Sequence, residues 1–266
     1  MPNSFLESLR RTWQQLGESP RPYPAFPQTQ AWIFEDRGLI LHLIPVKGYL
    51  RNWDLQTLPK YHSQAKLGFQ VVHIWEDIWQ RHPQAVQGRV KALLGKSRRI
   101  YGRETKAARI EQPVLQQFLQ AHHTNVSIQG KFKYGLFYGE SLVAVAAFGG
   151  VRKLRFEGNA ESSELIRFCN ATGYTVVGGL SKLLKAFLRE KAINHLMTYA
   201  DREWSAGQGY ERLGFQRVEE RPAQQFWIDP NTWERHYPHR VGQDIPKHWL
   251  PAFNLGSWKY VKWLND

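Results

Sequence analysis

The chain of 266 residues carries 36 Lys and Arg against 23 Asp and Glu, a formal charge of +13, and with 42% hydrophobic and 14% aromatic content it is too apolar for a disordered polyelectrolyte. Its single cysteine, Cys169, excludes an intrachain disulfide and a cysteine-rich zinc site, which points to a cytosolic protein. The length allows one large domain or two modest ones, and the positive excess puts nucleic acid first among partners, ahead of an anionic membrane or a phosphorylated cofactor, with a merely solubilising surface as the plain alternative.

Residues 1–15 read as a short amphipathic helix rather than a signal peptide, and the longest apolar stretches, such as Leu142–Phe148, are strand-sized, far below the ~20 residues that cross a bilayer. Four prolines within residues 18–30 predict an extended connector. AWIFED, GLILHLIP and FQVVHIWE then read as three strands, separated by turn signals at Asp36-Arg37-Gly38 and Leu67-Gly68. Pro83–Leu94 sets Val86, Val90, Leu93 and Leu94 at helical spacing. The block Arg89–Arg109 follows, in which Glu104 is the one acid among basic residues that include Arg98, Arg99, Arg103 and Lys106.

A second α/β unit is predicted from there: a helix over Gln112–Ala121, a hairpin of Tyr134–Tyr138 and Leu142–Phe148 around Gly139-Glu140, and strands at Ser163–Cys169 and Thr175–Val177. The last of these enters Gly178-Gly179 and a helix over Ser181–Lys191. A strand over His195–Ala200, a short helix near Gly207–Leu213 and strands at Phe215–Val218 and Gln225–Ile228 complete the series. The expected division is a helix and connector over 1–30, a small α/β module over 31–97, the larger α/β domain over 98–232 and a basic, aromatic tail over 233–266 packed on the body.

Read locally, Ser181 is a helix N-cap, and Gly214 is a helix C-cap followed by a core phenylalanine. The pattern Gly209-Tyr210-Glu211-Arg212-Leu213-Gly214-Phe215, together with the order helix, hairpin, strand, glycine-bearing loop, helix, strand, also resembles the GNAT acyltransferase superfamily. That resemblance implies a mixed sheet flanked by helices, an acyl carrier such as acetyl-CoA lodged between splayed central strands, and a carrier pyrophosphate on a helix-opening loop. In this chain the loop would be Val177, Gly178, Gly179, Ser181 and Lys182, although Val176 and Ser181 depart from the superfamily's usual residues.

Glu164-Leu165-Ile166-Arg167-Phe168, Ser181, Tyr199-Ala200-Asp201 and Tyr210 look in particular like the arrangement of Mom proteins, GNAT-like enzymes that modify adenine in DNA. The resemblance makes Arg167, Ser181, Asp201 and Tyr210 the candidate catalytic set. Arg167 would orient an anionic or polar group, Asp201 would position or deprotonate an amine, and Tyr210 would protonate a departing thiolate. The competing reading of Arg167 with Asp201 is a buried ion pair that ties two strands together. An adenine acceptor must leave the duplex stack, and Tyr199, Trp204 and Phe226 are aromatic candidates to receive it. Arg98, Arg99, Arg103, Lys106, Arg235 and Lys259 are the expected phosphate contacts.

The stretch from Tyr61-His62 through Trp79 resembles the end of the very-short-patch-repair endonuclease fold. The strand Leu39–Lys47 lacks the acid such a nuclease needs, and Glu76 and Asp77 come only later, so the module reads as a nuclease-like fold without its metal site. His73, His122-His123, His236, His239 and His248 read as hydrogen-bonded or solvated histidines, and no metal is assigned. Two other functions stay open: N-acyl transfer to a small amine or with an aminoacyl-tRNA, and DNA binding without catalysis.

Overall fold

The structure, a computed structural model, describes residues 4–26, 30–46, 53–125, 128–155, 160–241 and 244–264. The chain forms two compact units: unit 1 holds residues 1–83, 200–206 and 220–258, and unit 2 holds 84–199, 207–219 and 259–266. Among the described residues no helix is long and apolar enough to cross a membrane.

Unit 1 opens with α1 (Ser4–Gln15), which buries Phe5, Leu9 and Trp13 along a single stripe at i, i+4 and i+8. Strands β1 (Arg21–Pro22), β2 (Gln30–Phe34), β3 (Leu39–Ile44) and β4 (Gln70–Trp75) form a sheet in that order. β2 runs antiparallel to β3, whereas β3 and β4 are parallel, a pairing that needs a crossover; α2 (Thr57–Ser63) lies in it. All six residues of β3 are buried, which explains why LILHLI reads as a continuous apolar run instead of alternating.

The three predicted strands are therefore present, but their acidic ends are not strand. Glu35-Asp36-Arg37 forms a 3-10 turn, and Glu76 and Asp77 open helix α3 (Glu76–Arg81), where carboxylates favour the positive helix end. Lys47, expected to close β3, lies outside the described residues.

Unit 2 begins with α4 (Pro83–Leu93), β5 (Arg98–Tyr101), β6 (Lys106–Arg109) and α5 (Gln112–His122). Then follow β7 (Phe132–Tyr138), β8 (Ser141–Phe148), β9 (Arg152–Leu154), β10 (Ala160–Asn170) and β11 (Tyr174–Val177). Helix α6 (Gly179–Glu190), β12 (His195–Asp201), α7 (Gln208–Glu211) and β13 (Gln216–Arg221) complete this stretch. Gly139, with φ +58°, supplies the left-handed residue of the tight β7–β8 turn.

The chain then contributes β14 (Gln225–Ile228), β15 (Arg235–His236) and β16 (Leu250–Phe253) to unit 1, as a sheet in the order β15-β14-β16. Phe226, Ile228, Ala252 and Leu255 join the core built by Ile40, Ile44, Val71 and Trp75. The final strand, β17 (Ser257–Trp263), enters the large sheet, whose order is β13-β17-β12-β10-β8-β7-β6 with β9 alongside β10.

The large sheet is mixed: β6, β7, β8 and β10 are antiparallel in succession, and β10 and β12 are parallel. Its middle is covered on both faces. Val145 and Ala147 of β8 meet Leu115, Phe118 and Leu119 of α5, while Phe148 stacks on Phe187 of α6 at 4.1 Å between ring centroids. Two-sided burial is why VAVAAF shows no polar alternation. This is the helix-flanked mixed sheet, with the element order, that the GNAT resemblance implies.

Candidate functional site

Two features of unit 2 build the site, and the first is the gap between its central strands. The parallel register of β10 with β12 runs from Ser162↔His195 to Leu165↔Thr198 and ends there, although β10 continues to Asn170 and β12 to Asp201. The Thr198 hydroxyl donates to the Leu165 carbonyl at 2.8 Å and closes the last paired step. Immediately beyond, a bulge between Leu165 and Arg167 on the β8 side bends β10. Arg167 is the first residue past that bulge.

The second feature is the start of α6. Its N-cap is Gly178 in the left-handed region at φ 73°, and the first intrahelical bond runs from the Lys182 N–H to the Gly178 carbonyl at 3.0 Å. The amides of Gly179, Leu180 and Ser181 precede that bond, the arrangement by which a helix start receives an anion. Ser181 is thus the third helical residue and not the N-cap expected for it. Paired glycines let the chain turn two residues earlier than the apolar pattern of SKLLKAFL suggests.

β5 builds a second wall. It pairs in parallel with β11, and Gly102, just after it, comes so close to the loop that a Cβ there would lie 3.2 Å from the carbonyls of both Val177 and Gly178. The Lys182 ammonium donates to the Gly102 carbonyl at 2.9 Å and also to that of Thr105. Lys182, expected among the anion-binding residues, therefore ties the two segments together. Tyr101, Gly102, Arg103, Val177, Gly178, Ser181, Lys182 and Lys185 line an open cavity of about 380 Å³. Arg103 and Lys185 are its exposed cations, and the Arg103 guanidinium lies 5.1 Å from the centre of the Tyr101 ring.

Tyr210 is held from three sides. Its ring contacts Phe215 at 5.8 Å and Tyr260 at 5.6 Å, and Thr198 hydrogen-bonds its hydroxyl. Gly207, at φ 80°, allows this packing, since a Cβ there would fall 1.8 Å from the Tyr260 hydroxyl. Burial pushes the Tyr210 phenol up, while the Thr198 hydrogen bond and the charges of Arg89 and Arg167 draw it back down. Burial likewise pushes the Cys169 thiol to about 12 against the same two guanidinium groups. Glu164 is raised by burial, with Arg152 and Arg167 opposing. Arg167 therefore acts electrostatically on Glu164, Cys169 and Tyr210.

Of the expected catalytic set, Arg167, Ser181 and Tyr210 lie in unit 2, and Asp201 belongs to unit 1. There Asp201 is exposed and its Oδ1 accepts the Glu203 N–H at 2.9 Å, starting the turn that follows β12. Glu203 is buried, and burial together with the Asp201 charge holds its carboxyl well above the usual range.

The expected nucleic-acid contacts divide by exposure. Arg98, Arg99, Arg103 and Lys106 are exposed on and just after β5, Arg98 lies 5.8 Å from the Tyr138 ring and 5.9 Å from the Tyr174 ring, and Tyr199 is exposed on β12. Lys259 is paired with Glu219 at 3.6 Å. Trp204 and Phe226 are buried and cannot stack on a base. Arg235 cannot reach a phosphate, because its Nε and Nη2 donate to Asp77 at 2.5 and 3.0 Å with Phe226 and Trp75 against the guanidinium. Strand pattern shows that these side chains alternate but not which face the core covers. Among the described residues no three of His, Cys, Asp and Glu gather as a metal set.

Tyr101, Lys185 and Thr198 are site residues beyond those expected. Lys185 was signalled only by its position one turn after Ser181, which does not distinguish it from a solvated charge.

No family model matches the chain, and no curated protein matches it. Among solved structures it is similar to a GNAT family acetyltransferase from Elizabethkingia anophelis with acetyl-CoA bound, at 13% identity and a TM-score of 0.36 over 60% of this chain and 99% of that one. It is also similar to Arabidopsis thaliana Naa50 in complex with the bisubstrate analogue CoA-Ac-MVNAL (11%, TM-score 0.39, 60% and 99%). A third is the ribosomal-protein-S18-alanine N-acetyltransferase from Escherichia coli (13%, TM-score 0.38, 59% and 92%).

Proposed function

We propose that unit 2 is an N-acyltransferase of the GNAT type that uses an acyl-CoA carrier and acts on an amine of nucleic acid, with the adenine amine of DNA, as in Mom-like proteins, the favoured acceptor. The observation that carries this reading is the end of the β10–β12 register at Leu165↔Thr198, beyond which the two central strands no longer pair. The residues present fit such a carrier: Gly178 is open to solvent, the cavity beside it is of ligand size, and two exposed cations border it. The amides of Gly179, Leu180 and Ser181 would hold its pyrophosphate, with Lys185 and Arg103 beside them.

A bound acyl thioester would supply the activated acyl group. Arg167 orients polar groups at the opening, and Tyr210 hands its proton to the departing sulfur as the new C–N bond forms and the C–S bond breaks. The proton displaced from the amine passes to water. Because an adenine amine is a weak nucleophile, position and electrostatics must provide most of the acceleration. The exposed Arg98, Arg99, Arg103 and Lys106 favour a polyanionic acceptor over a small amine.

Unit 1 is read as a nuclease-like module that does not cleave. The acids after β4 are engaged by the protein itself: Glu76 Oε2 accepts the Val46 N–H at 2.8 Å, and Asp77 is held by Arg235. A divalent cation would have to displace both partners.

The test is the nucleoside mass profile of DNA from cells that express the chain. A deoxyadenosine in which the acyl group replaces one amine hydrogen is expected, and it should vanish with Tyr210→Phe while DNA retention persists. Unmodified nucleosides beside intact acetyl-CoA binding would refute the acceptor, and failure to bind acetyl-CoA would refute the whole proposal.

A further inference from the structure

Strands β5 and β11 pair in parallel from Arg98↔Tyr174 to Tyr101↔Val177, and both end there. Parallel pairing delivers their two continuations to the same end: the 3-10 turn Gly102–Glu104 after β5, and Gly178 with the start of α6 after β11. Of the three turn residues, Gly102 has no side chain and Arg103 and Glu104 are exposed, so apolar burial does little to fix the turn. Polar bonds hold it instead. The Tyr101 N–H donates to Glu104 Oε2 at 2.8 Å, and the Gly102 carbonyl accepts the Thr105 N–H at 3.1 Å and the Thr105 hydroxyl at 2.7 Å.

Those bonds close the turn on itself, and Lys182 joins it to α6. Its ammonium donates to the carbonyls of Gly102, the first turn residue, and Thr105, just past the last. Two of its N–H donors are thus engaged by the backbone, which makes this lysine a clip between segments and not a free cation. Arg103 is the middle residue of the clipped turn, and Lys185 follows Lys182 by three positions on α6; both are exposed and both line the cavity of about 380 Å³. The two cations therefore come from the two elements that Lys182 ties together. The Tyr101 ring, 5.1 Å from the Arg103 guanidinium, restrains it further.

We propose that Lys182 is a positioning residue and Arg103 a specificity residue of this cavity: the clipped turn holds the Arg103 guanidinium at the same cavity as the Lys185 ammonium, so that the chain selects a carrier with a phosphorylated nucleotide end over a bare pantetheine thioester. This role rests on the acyl-CoA reading proposed above. A guanidinium fork matches phosphate oxygens, and an ammonium adds a point charge beside it. Fixing the turn before the carrier arrives removes the entropy of ordering Arg103 from the cost of binding. Loss of Lys182 leaves the charge of Arg103 in place but frees the turn that carries it.

The test measures binding to the full chain by isothermal titration calorimetry, with CoA and with pantetheine, which lacks the nucleotide and its phosphates, as probes. Lys182→Met and Arg103→Gln should each weaken CoA binding about tenfold and leave pantetheine binding unchanged. The double variant should bind CoA no more weakly than Arg103→Gln alone, because Lys182 acts through the turn that carries Arg103. Hydrogen exchange reads the clip without any ligand: the Thr105 amide should exchange about tenfold faster in Lys182→Met and at the wild-type rate in Arg103→Gln. CoA binding of wild-type strength in a folded Lys182→Met protein, an equal loss of pantetheine binding, or losses that add in the double variant would overturn the proposal. Should Lys182→Met not fold, Lys182→Gln is measured in its place with the same outcomes. A wild type that binds no CoA, with the Thr105 amide still freed by Lys182→Met, would refute the acyl-CoA reading and the specificity of Arg103 with it, while upholding the clip.

Discussion

Unit 1 carries an acid-sensitive core. His42 of β3 and His73 of β4 are fully buried and opposite one another in register, with their Nδ1 atoms 2.8 Å apart, so one ring donates and the other accepts. That bond requires at least one neutral ring. Burial, with the His62 charge second, drives His42 from 6.5 down to about 3, and burial with the His42 and His62 charges holds His73 well below its ordinary range.

The folded pKa is depressed, so the unfolded chain takes up protons first and stability is lost as pH falls from about 6.5 toward 3. For His42 alone the loss is about 2 kcal/mol at pH 5 and about 4 kcal/mol at pH 3, and His73 acts in the same direction. Glu203 acts oppositely. Its carboxyl is raised in the folded state, so its protonation favours the fold as pH falls, and the comparison has to be between variants at each pH.

Urea unfolding followed by tryptophan fluorescence suits this region, because Trp53 and Trp75 lie in the same core. The wild type and the variant are compared at each pH from 7 to 5. His42→Phe should start lower at pH 7, since it strands the His73 Nδ1, but should lose about 2 kcal/mol less over that interval. Equal losses in the two proteins would show that His42 does not titrate on unfolding and would refute the reasoning.

Asp77→Asn should cost unit 1 about 3 kcal/mol by leaving the Arg235 guanidinium, whose side chain is only 13% exposed, without its carboxylate, and Asp77→Asn with Arg235→Met should recover most of that loss in urea unfolding. An additive double mutant would show that the two groups are not coupled. Gly207→Ala should destabilise unit 2 by about 1–3 kcal/mol, because its Cβ would overlap the Tyr260 hydroxyl at a left-handed backbone position. Combining it with Tyr260→Phe should restore part of the loss in thermal unfolding, whereas no recovery would assign the cost to the backbone alone.

Local pattern alone determined a good deal of this molecule. The hairpin around Gly139-Glu140, the buried runs of β3, β4 and β8, and the amphipathic helices α1, α5 and α6 follow from side-chain periodicity and turn chemistry, which depend on neighbours in the chain. The glycine pair at 178–179 marked the loop, and Arg167 and Tyr210 stood out through the motifs around them. Tertiary structure decided the rest, because burial and charge pairing are properties of distant segments brought together. It sent Trp204 and Phe226 into the interior, paired Arg235 with the buried Asp77, engaged Lys182 with the carbonyls after β5, and completed unit 1 with residues more than a hundred positions downstream. The end of the β10–β12 register and the docking of α4 at Gly88 against the turn after β10 have no local signature, since each depends on where two strands stop pairing or where a helix docks.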